Sequence, residues 1–370
     1  MITQENLLLA LKQVHDPDLH KDIVTLGFVQ DIVIKDGDVS FKVVLTTPAC
    51  PVKDLLKKQC EEIVSKLPGV KTVRVEMTAR MMTSKTERGD LLPGVKNVIA
   101  VASGKGGVGK STVATNLAIA LGQLGAKVGL LDSDIYGPSI PMMMGVSGKP
   151  VMGDDRKLQP IENYGIKMMS IGFLMSDEQA LVWRGPMVAQ ALTQLMRDVD
   201  WGELDYLIVD MPPGTGDAQL TLSQVVHVVG AVIVTTPQDV ALIDARRGVG
   251  MFQKVNVPIL GIIENMSYYV CPNCNHRADI FSHGGAQKAS EKYEVPFLGE
   301  IPLDIDTRIA GDSGKPIVIA KPESVNARAF METAKKLASM ISVLHHGTAD
   351  DKAKLMGQKM FFANTKLNII

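Results

Sequence analysis

The stretch Gly104-Lys105-Gly106-Gly107-Val108-Gly109-Lys110-Ser111-Thr112 constrains this chain more than any other. An apolar run suited to a strand, Asn97-Val98-Ile99-Ala100-Val101-Ala102, precedes it, and a helical pattern from Ser111 to Leu124 follows. A glycine-rich turn between strand and helix is the setting in which G-x-x-x-x-G-K-[ST] binds phosphate. A triphosphate needs many donors at short range, and backbone N–H groups supply them only where no Cβ blocks the approach. Gly104, Gly106, Gly107 and Gly109 give that access, and the following helix points its positive end at the phosphates. Lys110 is placed to neutralise charge on the β- and γ-phosphates, and the Ser111 hydroxyl to ligate Mg²⁺. Val108 and Thr112 belong to the same nucleotide-binding set.

Buried-type apolar runs alternate with helical stretches after Asn97, the pattern of a doubly wound, mostly parallel α/β sheet. Lys127–Leu131, Tyr206–Val209, Val228–Thr235 and Ile259–Ile263 read as further strands. Asp132 and Asp134 follow the first of these and Asp210 the second, on the strand-end rim where ligands bind in such folds. Asp210 suits a Mg²⁺-holding carboxylate, and Pro212-Pro213-Gly214-Thr215-Gly216-Asp217 behind it suits a rigid turn that senses the γ-phosphate.

The first hundred residues read differently. A short amphipathic helix, Glu5–Gln13, precedes two alternating runs, Val29–Ile34 and Val39–Thr46, separated by Lys35-Asp36-Gly37-Asp38, a strong hairpin signal. A helix over Val52–Leu67 and a strand over Val70–Met77 complete a small α+β domain, residues 1–82. A polar linker (83–95), the nucleotide-binding domain (96–346) and a tail (347–370) follow. Pro51 suits the first turn of the helix, which puts Cys50 at its N-cap, where a thiol ionises more easily. Cys50 is thereby a candidate cluster or thiol-exchange site, with a small buried apolar residue as the alternative; Cys60 reads as structural.

A net charge of −1 over 370 residues provides no field for nucleic acid or an anionic membrane. No apolar run reaches the roughly 20 residues of a membrane span. The N-terminus lacks a basic signal region, and four cysteines do not make a disulfide framework, so a cytoplasmic location is expected. The tail carries Met356, Met360, Phe361 and Phe362 among lysines, and Gly357 weakens any amphipathic helix there; no stable membrane association is expected.

Cys271-Pro272-Asn273-Cys274, followed by His276, is the second candidate site. C-x-x-C in this setting means metal or cluster. Cys271, Cys274, His276 and His283 could make a zinc set within one chain, although the C-x-H spacing is short for one. A [4Fe–4S] cube takes four ligands, usually thiolates, and two chains about a two-fold axis would supply them.

The phosphate loop, with its extra Lys105, resembles the deviant Walker A group of ParA, MinD and the nitrogenase iron protein. In that group the lysine reaches the partner's nucleotide, which implies an ATP-dependent homodimer. By the same resemblance Asp132 positions the attacking water with Asp134 beside it, Asn265 contacts the adenine ring, and Pro302-Leu303-Asp304 forms the neighbouring base-binding loop. Asp16-Pro17-Asp18, Val24–Val29 and Thr46–Pro51 resemble the small domain of iron–sulfur assembly factors. Gly104–Thr112, Asp132–Ser139, Asp210–Asp217 and Glu264–Ser267 running into Cys271–Cys274 together resemble the Mrp/ApbC family of P-loop iron–sulfur cluster carriers, across residues 3–345. The resemblance implies an ATPase with catalytic Lys105, Lys110 and Asp132 that binds a [4Fe–4S] cluster between subunits. Its implied partners are cluster donors and apo iron–sulfur proteins. A ParA/MinD-like positioning protein, or an ATPase with a structural zinc, are the alternatives. Phe281-Ser282-His283-Gly284-Gly285 departs from the more glycine-rich loop of relatives and leaves a role for His283 open.

Overall fold

The computed structural model describes residues 2–82, 91–154, 156–174, 185–214 and 216–348, with 351, 352 and 355. Residues 83–90 of the expected linker, Thr215, and nearly all of the tail, including Met356, Gly357, Met360, Phe361 and Phe362, lie outside the described residues, as does the side chain of Asp217. Two compact units emerge, one from residues 2–82 with 338–348, the other from residues 91–337.

In the first unit, strands Val29–Lys35 and Asp38–Leu45 pair antiparallel around Asp36 and Gly37, both with positive φ (52° and 92°), as a tight hairpin turn requires. Helix Lys53–Ser65 then crosses over to strand Thr72–Ala79, which pairs parallel with Asp38–Leu45. Leu56, Cys60 and Val64, spaced four apart on that helix, are buried with Phe41 and Val43. Cys60 is thus a core residue.

The second unit holds a nine-stranded sheet. Its strands are β1 (Val95–Ala102), β2 (Val128–Asp132), β3 (Ile161–Asn163), β4 (Ile166–Ser170), β5 (Leu204–Asp210), β6 (Val228–Thr235), β7 (Ile259–Val270), β8 (Arg277–Ala278) and β9 (Phe297–Leu303). They run in the order β8-β7-β6-β1-β5-β2-β4-β3, with β9 also paired to β7. All ladders are parallel except β7–β8 and β3–β4 at the margins. Every residue of β2, β5 and β6 is buried, which explains why these segments read as unbroken apolar runs. The hairpin β3–β4, turning at Tyr164-Gly165, was not expected; its strands are short and mixed in polarity.

Helix α1 (Lys110–Gln123) leaves the phosphate loop and is buried around most of its circumference, with Val113, Leu117, Ile119 and Leu121 inaccessible. Truncating such a residue to alanine costs about 2–5 kcal/mol, so the loop is carried on a rigid element. Strand β7 is longer than the apolar run Ile259–Ile263. Met266 has φ +54° and the β7–β9 register shifts between Asn265 and Tyr269, so the strand bulges and then continues. That irregularity turns Asn265 towards the phosphate loop and lets β7 run on to the cysteines.

Candidate nucleotide and cysteine sites

The glycines of the phosphate loop answer to close approaches. A Cβ on Gly104 would lie 2.2 Å from the backbone of Asp244, on helix α2 (Asp239–Lys254). Gly109 has φ +79°, and a Cβ there would lie 2.2 Å from the Asn265 amide nitrogen. Asn265 uses that proximity: its Nδ2 donates to the Val108 carbonyl at 2.8 Å.

Lys110 opens α1 and is almost wholly buried. Its Nζ donates to Asp210 Oδ1 at 2.6 Å and lies 3.9 Å from Asp134 Oδ2. Ser111 Oγ donates to the other Asp210 oxygen at 2.6 Å. Burial drives the Asp210 carboxyl above the usual carboxylate range, opposed by the Lys110 ammonium and the Ser111 hydroxyl. This cluster of hard oxygen donors fits Mg²⁺: Ser111 and Asp210 would hold it, and the ion would neutralise phosphate charge.

Two cavities adjoin here. One, of about 210 Å³, is walled by the loop from Lys105 to Thr112 with Asp134, Ser139 and Pro213. The other, of about 190 Å³, is walled by Asn265, Met266, Pro302, Leu303, Asp304 and Arg308. Gly109, Thr112 and Met143 border both. A donor-rich groove opening into a pocket of mixed apolar and amide character has the layout of a triphosphate followed by a base. The structure therefore gathers Asn265 and Pro302–Asp304 around one pocket. Asp304 itself caps helix α4 (Ile305–Asp312), accepting from Thr307 N and Oγ1, each at 3.0 Å. Ser139 closes the Asp132–Ser139 motif, whereas Met143 was not anticipated, because the short helix Ile140–Met143 carries no periodic signal.

The two carboxylates at the end of β2 differ in what they face. Asp132 is inaccessible; it accepts from Asp134 N and Ile140 N, each at 3.2 Å, and from Ser170 Oγ at 3.0 Å. Burial first, and the neighbouring Asp210 second, push its carboxyl up to about 7. Asp134 borders the phosphate groove and sits beside Lys110. Of the two, the structure puts Asp134 on the groove and turns Asp132 inward. Lys105 lines the groove and, unlike Lys110, has no carboxylate partner among the described residues. Gly214 N donates to Ser103 O at 2.8 Å, bringing the Pro212–Gly214 turn against the loop.

The cysteine pair occupies the turn joining β7 to β8, where Tyr269 pairs Ala278 and Val270 pairs Arg277. Cys271 N donates to His276 O at 2.9 Å and Asn275 N to Cys271 O at 2.8 Å, closing a tight knuckle. The backbone N–H groups of Asn273 and Cys274 converge on the Cys271 sulfur and hold its thiol below the usual value. Cys274 is exposed. Cys271, Cys274, His276 and His283 do not converge; among the described residues the group of three ligating side chains within reach of one another is Glu264, His283 and Glu300. A closed single-chain zinc set is therefore not assembled.

Cys50 departs from expectation. The helix begins at Lys53 with Val52 as its N-cap, so the thiol misses the helix end. Burial, reinforced by Asp16 and Asp18, pushes it up to about 11, the opposite of an activated thiol.

Comparison with known proteins agrees with this geometry. Residues 94–338 match the ParA family model described as NUBPL iron-transfer P-loop NTPase, and residues 4–77 match the model for iron–sulfur cluster assembly proteins. The chain belongs to the NUBPL-type iron-transfer P-loop NTPases. It is similar to the iron-sulfur cluster carrier protein of Synechocystis, 52% identical over 349 residues covering 93% of this chain and 99% of that one. The Escherichia coli protein of the same name is 45% identical, covering 90% of each chain. Among solved structures, a nucleotide-binding protein from Archaeoglobus fulgidus in complex with ADP is 40% identical (TM-score 0.56, 65% of this chain and 93% of that one). The cell division ATPase MinD of Pyrococcus furiosus is 25% identical (TM-score 0.50, 65% and 98%). This NTPase family membership, with its assembly-type N-terminal domain, is the one the motifs indicated. No helix among the described residues is long and apolar enough to cross a membrane.

Proposed function

We propose that the chain is an ATP-hydrolysing homodimer that assembles a [4Fe–4S] cluster between two Cys271/Cys274 pairs and passes it to apo-proteins. The observation that carries this reading is the knuckle itself. One chain presents two thiols, one exposed and one with a lowered pKa, at the end of a strand rooted on the phosphate loop. Two thiolates half-fill the coordination of a cube, so a second chain completes the site. A cluster held at a subunit interface is also accessible for release.

Within this reading the loop's N–H groups and Lys110 bind the β- and γ-phosphates, after Lys110 leaves Asp210. Lys105 extends to the partner's nucleotide. Asp134, on the groove, orients the attacking water, and Asp132 holds the backbone turn that presents it. Asn265 and the Pro302–Asp304 loop seat the base. Nucleotide-dependent movement of the loop reaches the cysteines through Asn265 and β7, so ATP state alters the cluster's hold. Resemblance of the assembly-factor and carrier relatives supports apo iron–sulfur proteins and cluster donors as partners.

The test is anaerobic reconstitution with iron and sulfide, read as iron per dimer and cluster absorbance. About four irons per dimer in the native chain, and none in Cys271→Ala, are expected. Zinc in a colourless protein would end this reading.

A further inference from the structure

His283 has no part in the functions above, yet it stands in a defined constellation. Glu264 of β7 and Glu300 of β9 are direct partners in the parallel register, an arrangement that sets like charges side by side. His283, on the loop before helix α3 (Gly285–Tyr293), brings its Nε2 to 3.0 Å from Glu300 Oε1. One ligand atom from each of the three lies within 4.8 Å of the others. The Nε2 is shielded from solvent and makes no aligned hydrogen bond among the described residues, despite that short approach. An imidazole nitrogen and a carboxylate oxygen bound at about 2.1 Å to one ion, at about a right angle, stand about 3 Å apart. That distance also suits a hydrogen bond, so it is the misalignment of Nε2 with Glu300, not the separation, that fits two ligands turned towards one ion.

Glu264 is fixed for such a task. Its Oε1 accepts from Ser267 Oγ at 2.6 Å and Gly284 N at 3.0 Å, and its Oε2 accepts from Ala286 N at 2.6 Å. Three of about four lone-pair positions are filled, which locks the carboxylate and leaves one on Oε2. Glu264 and the His283 Nε2 are inaccessible, while the His283 and Glu300 side chains are otherwise 33% and 24% exposed, so the group lies at the margin of the core. The Tyr268 ring meets the imidazole edge-on and carries Arg277 on its face, and Arg277 pairs with Asp279 at 3.2 Å.

We propose that Glu264, His283 and Glu300 form a mononuclear site for a divalent first-row transition-metal cation, separate from the cysteine knuckle. Two carboxylates balance the ion's charge, and the imidazole selects a borderline metal over Ca²⁺ or Mg²⁺. The ion would brace β7, β9 and the α3 loop beside Asn265 of the nucleotide pocket.

The test uses the full chain carrying Cys271→Ser and Cys274→Ser, titrated with Co(II) alone. One Co(II) per chain is expected, with weak ligand-field bands, no thiolate charge-transfer band and a raised melting temperature. His283→Gln and Glu300→Gln are each expected to weaken Co(II) binding at least about 10-fold while ADP binding, read in parallel, stays native. No Co(II) uptake by the cysteine-free chain, or equal uptake in both further variants, overturns the proposal. Either result leaves the cluster reading untouched, because the knuckle is absent throughout.

Discussion

Asn265 donates to the Val108 carbonyl at 2.8 Å, and six residues further along the chain, just past the end of the same strand, stands Cys271. A single buried amide thus joins the phosphate loop to the cysteine knuckle. Asn265→Ala removes that donor and leaves a loop carbonyl unsatisfied, a loss of about 1–3 kcal/mol. ATP affinity should fall roughly 5- to 150-fold, and the nucleotide dependence proposed above for cluster release should be lost. Gly109→Ala should give the same phenotype, because its Cβ would displace the Asn265 amide at a φ of +79°. Isothermal titration and a cluster-transfer assay with and without ATP test both; release that still responds fully to ATP in Asn265→Ala would remove the proposed link.

The pairing of Lys110 with Asp210 leads to a separation of stability from activity. Replacing Lys110 by methionine should cut ATP hydrolysis by about 10²-fold or more. It should also destabilise the nucleotide-free protein, since breaking a buried pair costs about 3–5 kcal/mol; Ser111 and protonation of Asp210 place this case at the low end. Adding Asp210→Asn should recover most of that stability and none of the hydrolysis. Denaturant midpoints for the single and double variants decide the matter, and an unchanged midpoint in Lys110→Met would contradict the buried pairing.

Thiol reactivity should sort the four cysteines by environment. Cys271, lowered by its backbone donors, should be alkylated first, with the exposed Cys274 close behind. Cys50, pushed up to about 11, and Cys60, pushed up to about 12, should react only on unfolding. Timed alkylation of the apo-protein at mildly alkaline pH, read by peptide mass, gives the order. Rapid labelling of Cys50 would restore it as a thiol-exchange candidate.

What could be read in the sequence was what is local in it. The phosphate loop and the Asp36-Gly37 hairpin each depend on a few adjacent residues, and each stands between the elements that the pattern implied. The resemblance gave the attacking water to Asp132 with Asp134 beside it, whereas β2 ends on an inward Asp132 and Asp134 borders the groove. Ser170, reached only through the sheet, accounts for Asp132 turning inward. Cys50 misled for a similar reason: Pro51 does suit a helix start, yet the helix opens two residues later and the thiol lands among buried groups and Asp16. Glu264, His283 and Glu300 are spread over three elements, and no spacing announces them.

The inward carboxyl of Asp132 makes a prediction whose sign is unusual for an aspartate. Its folded pKa is raised to about 7 from an ordinary 3.8, so between those values the native state holds a proton that the unfolded chain has released. Stability must then fall as pH rises through that window, and level off above it. The loss is on the order of 4 kcal/mol if the whole shift is expressed. Asp132→Asn cannot titrate and should lack this contribution. Its stability relative to the native chain should therefore climb from pH ~4 to ~7 and then stay constant, whatever offset the lost acceptor adds. Asp134, also raised by burial, is present in both proteins; Asp210 is too, but it couples to Asp132, so its own titration moves down in Asp132→Asn and enters the difference. Urea denaturation of the nucleotide-free proteins across this range measures the slope. A difference that is flat, or that falls with pH, would mean that Asp132 is ionised in the folded state, with its charge carried by Ser170 and the two backbone donors.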